Sequence, residues 1–260
     1  MSNRNLALSG WSGAGLSSTT LILAILLSRK YYPVTEIFRT VVRQLKEVTK
    51  EKSVDSLLAN MEKYFQPFLG KTVDQYVDHL LIHAPGIILE NDISAFRLGK
   101  RSEYYSIFIK TDYDVRAQRF NSDDRTGDQH TLRNRDLAHK QEYKKLWNID
   151  FFDLNLIKEK FNFILDNSQL TLDQTVNEIL NQLKTVPEFK EKTDKIQPRD
   201  ISELTKTGAK AKDQLRQKLQ DHNLLISPQQ MITEINQKFP EQIQTWPEDL
   251  KNVFNKANEQ

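Results

Sequence analysis

The sequence predicts an α/β protein in which a parallel sheet is flanked by helices, with a helical insertion and a helical C-terminal extension. Short apolar runs, each followed by polar residues, alternate along the chain with segments of helical periodicity. The first apolar run ends in a glycine-rich turn that leads directly into a helix, as an α/β unit begins. Hydrophobic residues make up 38% of the chain, which supplies a core and argues against wholesale disorder.

Four apolar runs are the predicted strands. They cover residues 5–9, 86–90, 105–109 and 161–165. Continuous apolar runs of this length are typical of strands that are buried on both faces of a parallel sheet. The segments that connect such strands are expected to place helices on both faces.

Helical periodicity marks the segments between these strands. The predicted helices cover residues 17–28, 34–48, 54–68, 72–82, 114–120, 134–147 and 172–183. The helices at 34–48, 54–68 and 72–82 lie between the first helix and the second strand, so we predict a helical insertion after the first crossover. Residues 121–131 are polar and unpatterned, and we predict a mobile loop there.

The character of the chain changes after Val186-Pro187. Residues 190–212 are rich in charge, and helical patterns resume from residue 213. We therefore predict two domains, residues 1–186 and a helical C-terminal extension of residues 187–260 that can be removed without unfolding the rest. The helices of the extension could serve an oligomer or a protein partner.

Charge and cysteine content narrow the possible classes of protein. The 37 basic residues nearly cancel 35 acidic ones, so no nucleic-acid partner is expected. The absence of cysteine excludes a disulfide framework and a thiolate metal site. The apolar run at residues 21–27 is too short to span a bilayer and has no basic leader before it. We expect a cytoplasmic protein that has no membrane contact.

The turn after the first predicted strand carries most of the phosphate-loop pattern G-x-x-x-x-G-K-[S/T]. Gly10, Gly15 and Ser17 match the pattern, in the strand–turn–helix context that it requires. Glycines let backbone N–H groups converge on an anion at a helix N-terminus, and Ser17 would be the hydroxyl that ligates magnesium. The candidate nucleotide-binding residues are Gly10, Gly13, Ala14, Gly15, Leu16, Ser17 and Ser18.

Leu16 stands where the phosphate-loop pattern has a lysine. That lysine normally contacts the terminal phosphates and offsets charge that develops during transfer, whereas leucine supplies neither a charge nor a hydrogen bond. Three interpretations follow. The turn only packs a helix onto a strand, the protein keeps the fold without catalysis, or another basic residue supplies the missing charge.

Five short blocks of sequence follow one another between residues 5 and 185. They read L-S-G-W-S-G-A-G-L-S-S-T-T, E-I-F-R, G-I-I-L-E, I-F-I-K with D-V-R-A-Q-R, and Y-K-K-L-W-N-I-D. In this order they resemble the short, archaeal-like cytidylate kinases, a family of nucleoside-monophosphate kinases. The resemblance implies a P-loop kinase fold, Mg²⁺ with ATP as cofactor, and phosphoryl transfer from ATP to a nucleoside monophosphate, CMP or dCMP.

The resemblance also assigns roles to charged residues. Arginines of the family contact the donor phosphates and the transferring phosphoryl group, and the loop at residues 121–131 would be the lid that delivers some of them. Arg39 would bind the acceptor phosphate, and Asp92 at a strand end could contact a magnesium-bound water or the base. The candidate catalytic residues are Arg116, Arg119, Arg133 and Arg135.

Three departures from the family reduce positive charge where phosphate would be handled. Leu16 replaces the lysine, Asn91-Asp92 replaces a glycine-arginine pair, and Glu142 stands where the family has arginine. These departures leave catalysis itself open. Two alternatives therefore stay open. One is an impaired kinase-like protein that acts as a nucleotide-binding or protein-interaction scaffold, and the other is phosphoryl transfer to a different small acceptor.

Overall fold

The computed structural model describes residues 4–49, 65–122, 129–206 and 211–258. Its parallel sheet is built from β1 (Asn5–Gly10), β2 (Lys30–Tyr32), β3 (Ile87–Glu90), β4 (Tyr104–Lys110) and β5 (Phe163–Asp166). The strand order is β2-β3-β1-β4-β5. The predicted α/β fold with a parallel sheet flanked by helices is confirmed, and β2 is a strand that the sequence pattern did not reveal because it has only three residues.

The described helices agree with most of the predicted ones and add several short ones. They are α1 (Leu16–Leu26), α2 (Val34–Thr49), α3 (Lys71–His83), α4 (Ser94–Leu98), α5 (Tyr113–Ser122), α6 (Gln129–Trp147), α7 (Leu154–Lys160), α8 (Leu172–Lys184), α9 (Pro187–Thr193), α10 (Pro198–Thr205), α11 (Ala211–Asp221), α12 (Pro228–Lys238), α13 (Pro240–Gln244) and α14 (Glu248–Asn258), with a π-helical turn at Phe65–Gly70. Most of the predicted helix at 54–68 and most of the predicted loop at 121–131 lie outside the described residues.

The register of the sheet places the ends of three strands together. Leu6 of β1 lies opposite Ile88 of β3 and Tyr105 of β4. All six residues of β1 are buried, as expected for a strand with neighbours on both sides. Because these strands are parallel, the turn that follows β1 lies at the same edge as Glu90 and Lys110, the last residues of β3 and β4.

Contacts divide the chain into two compact units. The first consists of Met1–Tyr31 and Leu81–Leu225, and the second of Tyr32–Leu80 and Ile226–Gln260. In the first unit, α1 packs on β1 and β3, α8 packs on β5, and α9, α10 and α11 pack on these two helices. In the second unit, α2 packs against α12 and α14.

The other face of the sheet in the first unit carries an aromatic cluster. Side chains of consecutive strand residues point to opposite faces, so Phe108 points away from the face that Ile107 and Ile109 share with α1. Phe108 contacts Phe161, with ring centroids 5.1 Å apart, and Phe96 with centroids 6.1 Å apart. Trp11 of the glycine-rich turn contacts this cluster, with its ring centroid 5.5 Å from that of Phe108.

The domain boundary predicted near residue 186 does not coincide with the division of the contacts. Phe189 of α9, Ile201 of α10 and Leu219 of α11 belong to one apolar cluster with Leu6 and Ile107 of the sheet. The predicted extension is therefore not one separate module, because its first part completes the core of the first unit. The sequence resembles a linker there because α9 and α10 are short, and each buries only two side chains among exposed charged residues.

Candidate functional site

The glycine-rich turn joins β1 to α1 in a conformation that requires glycine. Gly13 and Gly15 have positive φ angles of 83° and 82°. A Cβ atom on Gly10 would lie 2.8 Å from the carbonyl oxygen of Ile109, and one on Gly13 would lie 2.7 Å from that of Arg116. The turn therefore passes close against β4 and α5, where there is no space for a side chain.

The N-terminus of α1 presents backbone donors at this turn. The first bond of the helix joins Thr19 N–H to the Gly15 carbonyl at 3.1 Å, so Leu16, Ser17 and Ser18 have no acceptor for their N–H groups within the helix. No described side chain caps this end, and the first turn of α1 carries no acidic residue. Such a helix end attracts an anion.

Side chains from distant parts of the chain hold the turn from outside. Arg116 Nη1 donates to the carbonyl oxygen of Ser12 at 2.9 Å, and Asn167 Nδ2 donates to that of Ala14 at 3.0 Å. The indole N–H of Trp11 donates to the Phe151 carbonyl at 3.2 Å. These three bonds fix the conformation of the turn through tertiary contacts.

Arg116 and Arg119, two of the predicted catalytic residues, lie beside the turn with donors engaged in the protein. Arg116 is 4% exposed, and its Nη1 and Nη2 donate to the two carboxylate oxygens of Asp136 at 3.1 and 2.8 Å. Asp136 thus offsets the charge of Arg116. Arg119 donates to the Asn167 side chain and to the carbonyls of Asn167 and Leu170, and burial lowers its pKa.

Asp92 lies just beyond β3 in a partly buried polar cluster. The hydroxyl of Tyr143 donates to its carboxylate at 3.4 Å, and Nδ1 of His139 lies 3.9 Å from the same carboxylate. Burial raises the pKa of Asp92 to about 6, helped by the charge of Glu90 and opposed by that of Arg135. This carboxyl therefore takes up a proton at a higher pH than an exposed aspartate does.

Two further groups of this cluster also titrate away from their usual range. Burial raises the pKa of Glu142 to about 7, and the negative charge of Asp92 adds to the effect. Burial lowers the pKa of His139 to about 4, and the charge of Arg135 acts in the same direction. Burial in this cluster therefore favours neutral side chains over charged ones.

The remaining predicted residues lie at different places. Arg133 and Arg135 are exposed on α6. Arg39 lies on α2 of the second compact unit, where it pairs with Glu36 at 2.5 Å. Asn91, the other departure beside Asp92, accepts N–H bonds from the start of the segment that forms α4, so it has a capping role.

Sequence reasoning missed Asn167 and Asp136. Asn167 follows directly after β5, and a polar residue at the carboxyl end of a parallel strand is a signal that could have identified it. Asp136 carries no comparable signal, because its pairing with Arg116 depends on how α6 packs against α5.

Comparison with known proteins gives only distant similarity. No family model matches the chain. Cytidylate kinases from two Saccharolobus islandicus strains, L.S.2.15 / Lassen #1 and Y.G.57.14 / Yellowstone #1, are each 22% identical over 182 residues, which cover 69% of this chain and 90% of the relative. This similarity supports a P-loop kinase-like family.

Two solved structures are similar at a lower level. An uncharacterized protein from Eubacterium ventriosum ATCC 27560 gives a TM-score of 0.49 with 14% identity, over 70% of this chain and 99% of the other. A shikimate kinase from Acinetobacter baumannii gives a TM-score of 0.42 with 16% identity, over 71% and 94%. Scores at this level carry no argument about function.

Proposed function

We propose that this chain binds ATP at the turn between β1 and α1 and transfers its terminal phosphoryl group to a nucleoside monophosphate. The observation that carries the proposal is the turn itself. It combines two glycines of positive φ with an uncapped helix N-terminus at the carboxyl edge of a parallel sheet. CMP and dCMP are the first acceptors to test, because the similar curated proteins are cytidylate kinases.

Positioning and electrostatics would supply most of the acceleration in such a reaction. The N–H groups of residues 16–18 would bind phosphate oxygens, and Arg116 is a buried guanidinium that contacts the turn directly. Arg133 and Arg135, on the exposed part of α6, would approach the phosphoryl group from the lid. Asp92, just beyond β3, would bind the acceptor.

Magnesium would accompany ATP. The Ser17 hydroxyl would be its protein ligand, and phosphate oxygens and water would complete its coordination, which is how this cation is commonly bound. This donor set fits the site, because Ser17 is the second residue of α1, at the uncapped helix end where the phosphates would bind. When bound, the ion would offset phosphate charge.

A nucleotide-binding protein without catalysis is the second candidate function. One observation favours it: the basic side chains that contact the turn or its anchors are held by the protein. Arg116 is paired with Asp136, and Arg119 is bound to Asn167. Phosphoryl transfer to another small acceptor is the remaining alternative, and it is favoured by the carboxyls of Asp92, just beyond β3, and Glu142, on α6.

Calorimetric titration and a turnover assay separate these functions. The protein is titrated with ATP and Mg²⁺, and separately with CMP, dCMP and UMP, and ADP formation is followed with each acceptor. Binding of ATP with turnover of CMP or dCMP supports the proposal. Binding of ATP without turnover of any acceptor supports the second candidate, and a protein that binds no ATP contradicts both.

A further inference from the structure

We propose that Asn167 is a positioning residue of the phosphate site, which sets the direction of backbone N–H groups in the turn without itself contacting the nucleotide. The inference depends on the proposed function for the identity of the ligand. The claim that Asn167 controls the conformation of the turn rests on contacts within the protein and does not depend on the ligand. Asn167 is 2% exposed and lies directly after β5.

The orientation of the Asn167 amide is determined by its partners. Its Oδ1 accepts from Arg119 Nη1 at 3.1 Å and from the hydroxyl of Thr111 at 2.5 Å. A guanidinium group can only donate, so the oxygen must face Arg119. The amide nitrogen is thereby directed at the carbonyl oxygen of Ala14, to which it donates at 3.0 Å.

The backbone of Asn167 is equally well fixed. Its N–H donates to the carbonyl of Lys110 at 3.0 Å, and its carbonyl accepts from Arg119 Nη2 at 3.1 Å and from Leu170 N–H at 3.1 Å. Arg119 therefore acts on the turn through Asn167. This gives Arg119 a positioning role in place of the catalytic role that the sequence predicted.

Holding a carbonyl also determines the direction of the next N–H group. In a planar trans peptide, the C=O of one residue and the N–H of the following residue point in opposite directions. The bond from Asn167 to Ala14 thus directs the N–H of Gly15, and the bond from Arg116 to Ser12 directs that of Gly13. Because the carbonyls of Ser12 and Ala14 are held by Arg116 and Asn167, the N–H groups of Gly13 and Gly15 point away from these two side chains.

The test replaces the donor and keeps the shape. Asn167→Asp retains the oxygen that faces Arg119 but puts a second oxygen against the Ala14 carbonyl, so the peptide should rotate. The Ala14 amide belongs to the preceding peptide and donates to the Trp11 carbonyl at 3.0 Å, so its hydrogen exchange reports, without any ligand, whether the turn around Ala14 has loosened. We expect Ala14 exchange to accelerate about tenfold and the affinity for ATP with Mg²⁺ to fall about tenfold, which corresponds to about 1.4 kcal/mol.

Asn162→Asp is the matched control. Asn162 is also an asparagine whose Oδ1 accepts from β4, at the backbone N–H and the hydroxyl of Ser106, but it lies before β5 and has no bond to the turn. This variant keeps the oxygen that accepts from Ser106 and adds a negative charge beside β4 without altering a bond to the turn. It should leave both the Ala14 exchange rate and the ATP affinity within about twofold of the unmodified protein.

The outcomes distinguish this inference from the proposed function. Unchanged Ala14 exchange in Asn167→Asp, or equal acceleration in Asn162→Asp, would overturn the positioning role. If the unmodified protein binds no ATP, the proposed function fails, and the exchange measurement still decides the role of Asn167.

If Asn167→Asp does not fold, Arg119→Gln provides the measurement, because it frees the amide that the guanidinium orients, and Ala14 exchange should again accelerate severalfold.

Discussion

Among single residues, Gly13 combines backbone strain with a close contact. An alanine there would meet the Arg116 carbonyl at 2.7 Å while its φ is 83°. We expect Gly13→Ala to lower the free energy of unfolding by more than the roughly 1–2 kcal/mol that the φ alone costs, and to weaken ATP binding. Gly15→Ala is the control, because Gly15 has a similar φ of 82° but open space around it. Urea denaturation should show a larger loss for Gly13→Ala, and equal losses would contradict the close contact.

Leu16 is the residue at which the proposed activity can be raised. A lysine there would place a positive charge beside the phosphates in transfer, and one such interaction typically contributes a few kcal/mol, roughly a hundredfold in rate. We expect Leu16→Lys to increase turnover of CMP or dCMP in the ADP-formation assay. Leu16→Met, of similar length without charge, should not. If Arg116 already supplies the charge, Leu16→Lys will have little effect and Arg116→Met will abolish turnover.

Glu142 makes stability depend on pH. Because the folded pKa of about 7 is above the unfolded value of 4.5, the folded state binds more protons between these values. Glu142 therefore stabilises the folded state at low pH, and this contribution to the free energy of unfolding is lost as the pH rises through 7. Asp92 acts in the same direction below about pH 6, whereas His139, with its pKa lowered to about 4, opposes them between pH 4 and 6.5.

Asp92 and His139 have pKa values below pH 6.5, so between pH 6.5 and 8 the pH dependence from this cluster comes from Glu142. We expect Glu142→Gln to be more stable than the unmodified protein at pH 8 by about 1 kcal/mol, and to lose the decline in stability between pH 6 and 8. Urea denaturation at a series of pH values measures this. An identical decline in the variant would show that the pKa of Glu142 is not raised.

The glycines of the turn could be predicted from sequence, and so could a role for Arg116, but the contacts through which Arg116 and Asn167 hold the turn could not. Gly10, Gly13 and Gly15 follow a local pattern of spacing between a strand and a helix. Asn167, in contrast, is 153 positions away from Ala14 in sequence, and only the pairing of β4 with β5 brings it to the turn. A side chain that reaches the turn only through the tertiary fold has no periodic pattern around it that a single sequence could reveal.

At the scale of secondary-structure elements, prediction succeeded where a segment was long and its pattern strong. β1, β4 and α8 were placed within a few residues, because continuous apolar runs and helical periodicity are direct consequences of burial. α9 and α10 were missed. Each is short, and its few buried side chains, such as Phe189 and Ile201, are surrounded by exposed charges that resemble a linker.

The ion pair between Arg116 and Asp136 connects α5 to α6. Both side chains are largely buried, with 4% and 14% exposed. Breaking a buried pair by removing one partner typically costs about 3–5 kcal/mol, since the other charge is left uncompensated. We expect Asp136→Asn to show a loss of this order in thermal or urea unfolding. The double variant Asp136→Leu/Arg116→Met should lose less than the sum of its two single variants, and simple additivity would contradict the pairing.

At the scale of the whole molecule, neither compact unit is continuous in sequence. Each consists of an earlier and a later segment of the chain. The change in composition near residue 186 predicts a single boundary there, because linkers commonly differ in composition from the domains they join. The contacts instead place α9, α10 and α11 with the sheet, and α12 to α14 with α2.

This arrangement predicts that a chain ending at residue 186 does not fold. It would lose Phe189, Ile201, Leu215 and Leu219, all at most 3% exposed, from the core that covers the sheet and α1. Burial of each such side chain contributes about 1.5–3 kcal/mol, so four together reach the 5–15 kcal/mol that stabilises a typical domain. Circular dichroism of the shortened chain should show no cooperative melting, and a transition like that of the full chain would contradict the assignment.

A point substitution tests the same packing while the chain remains whole. Phe189 is 1% exposed, its ring lies 6.3 Å from that of Tyr105 of β4, and the guanidinium of Arg29 lies 4.6 Å above it. Phe189→Ala should lower the free energy of unfolding by about 3–5 kcal/mol. Lys190→Ala, at the exposed neighbouring position of the same helix, should change it by less than about 0.5 kcal/mol. Hydrogen exchange in β1 and β4 should accelerate in Phe189→Ala alone, because α9 is part of the core that covers these strands.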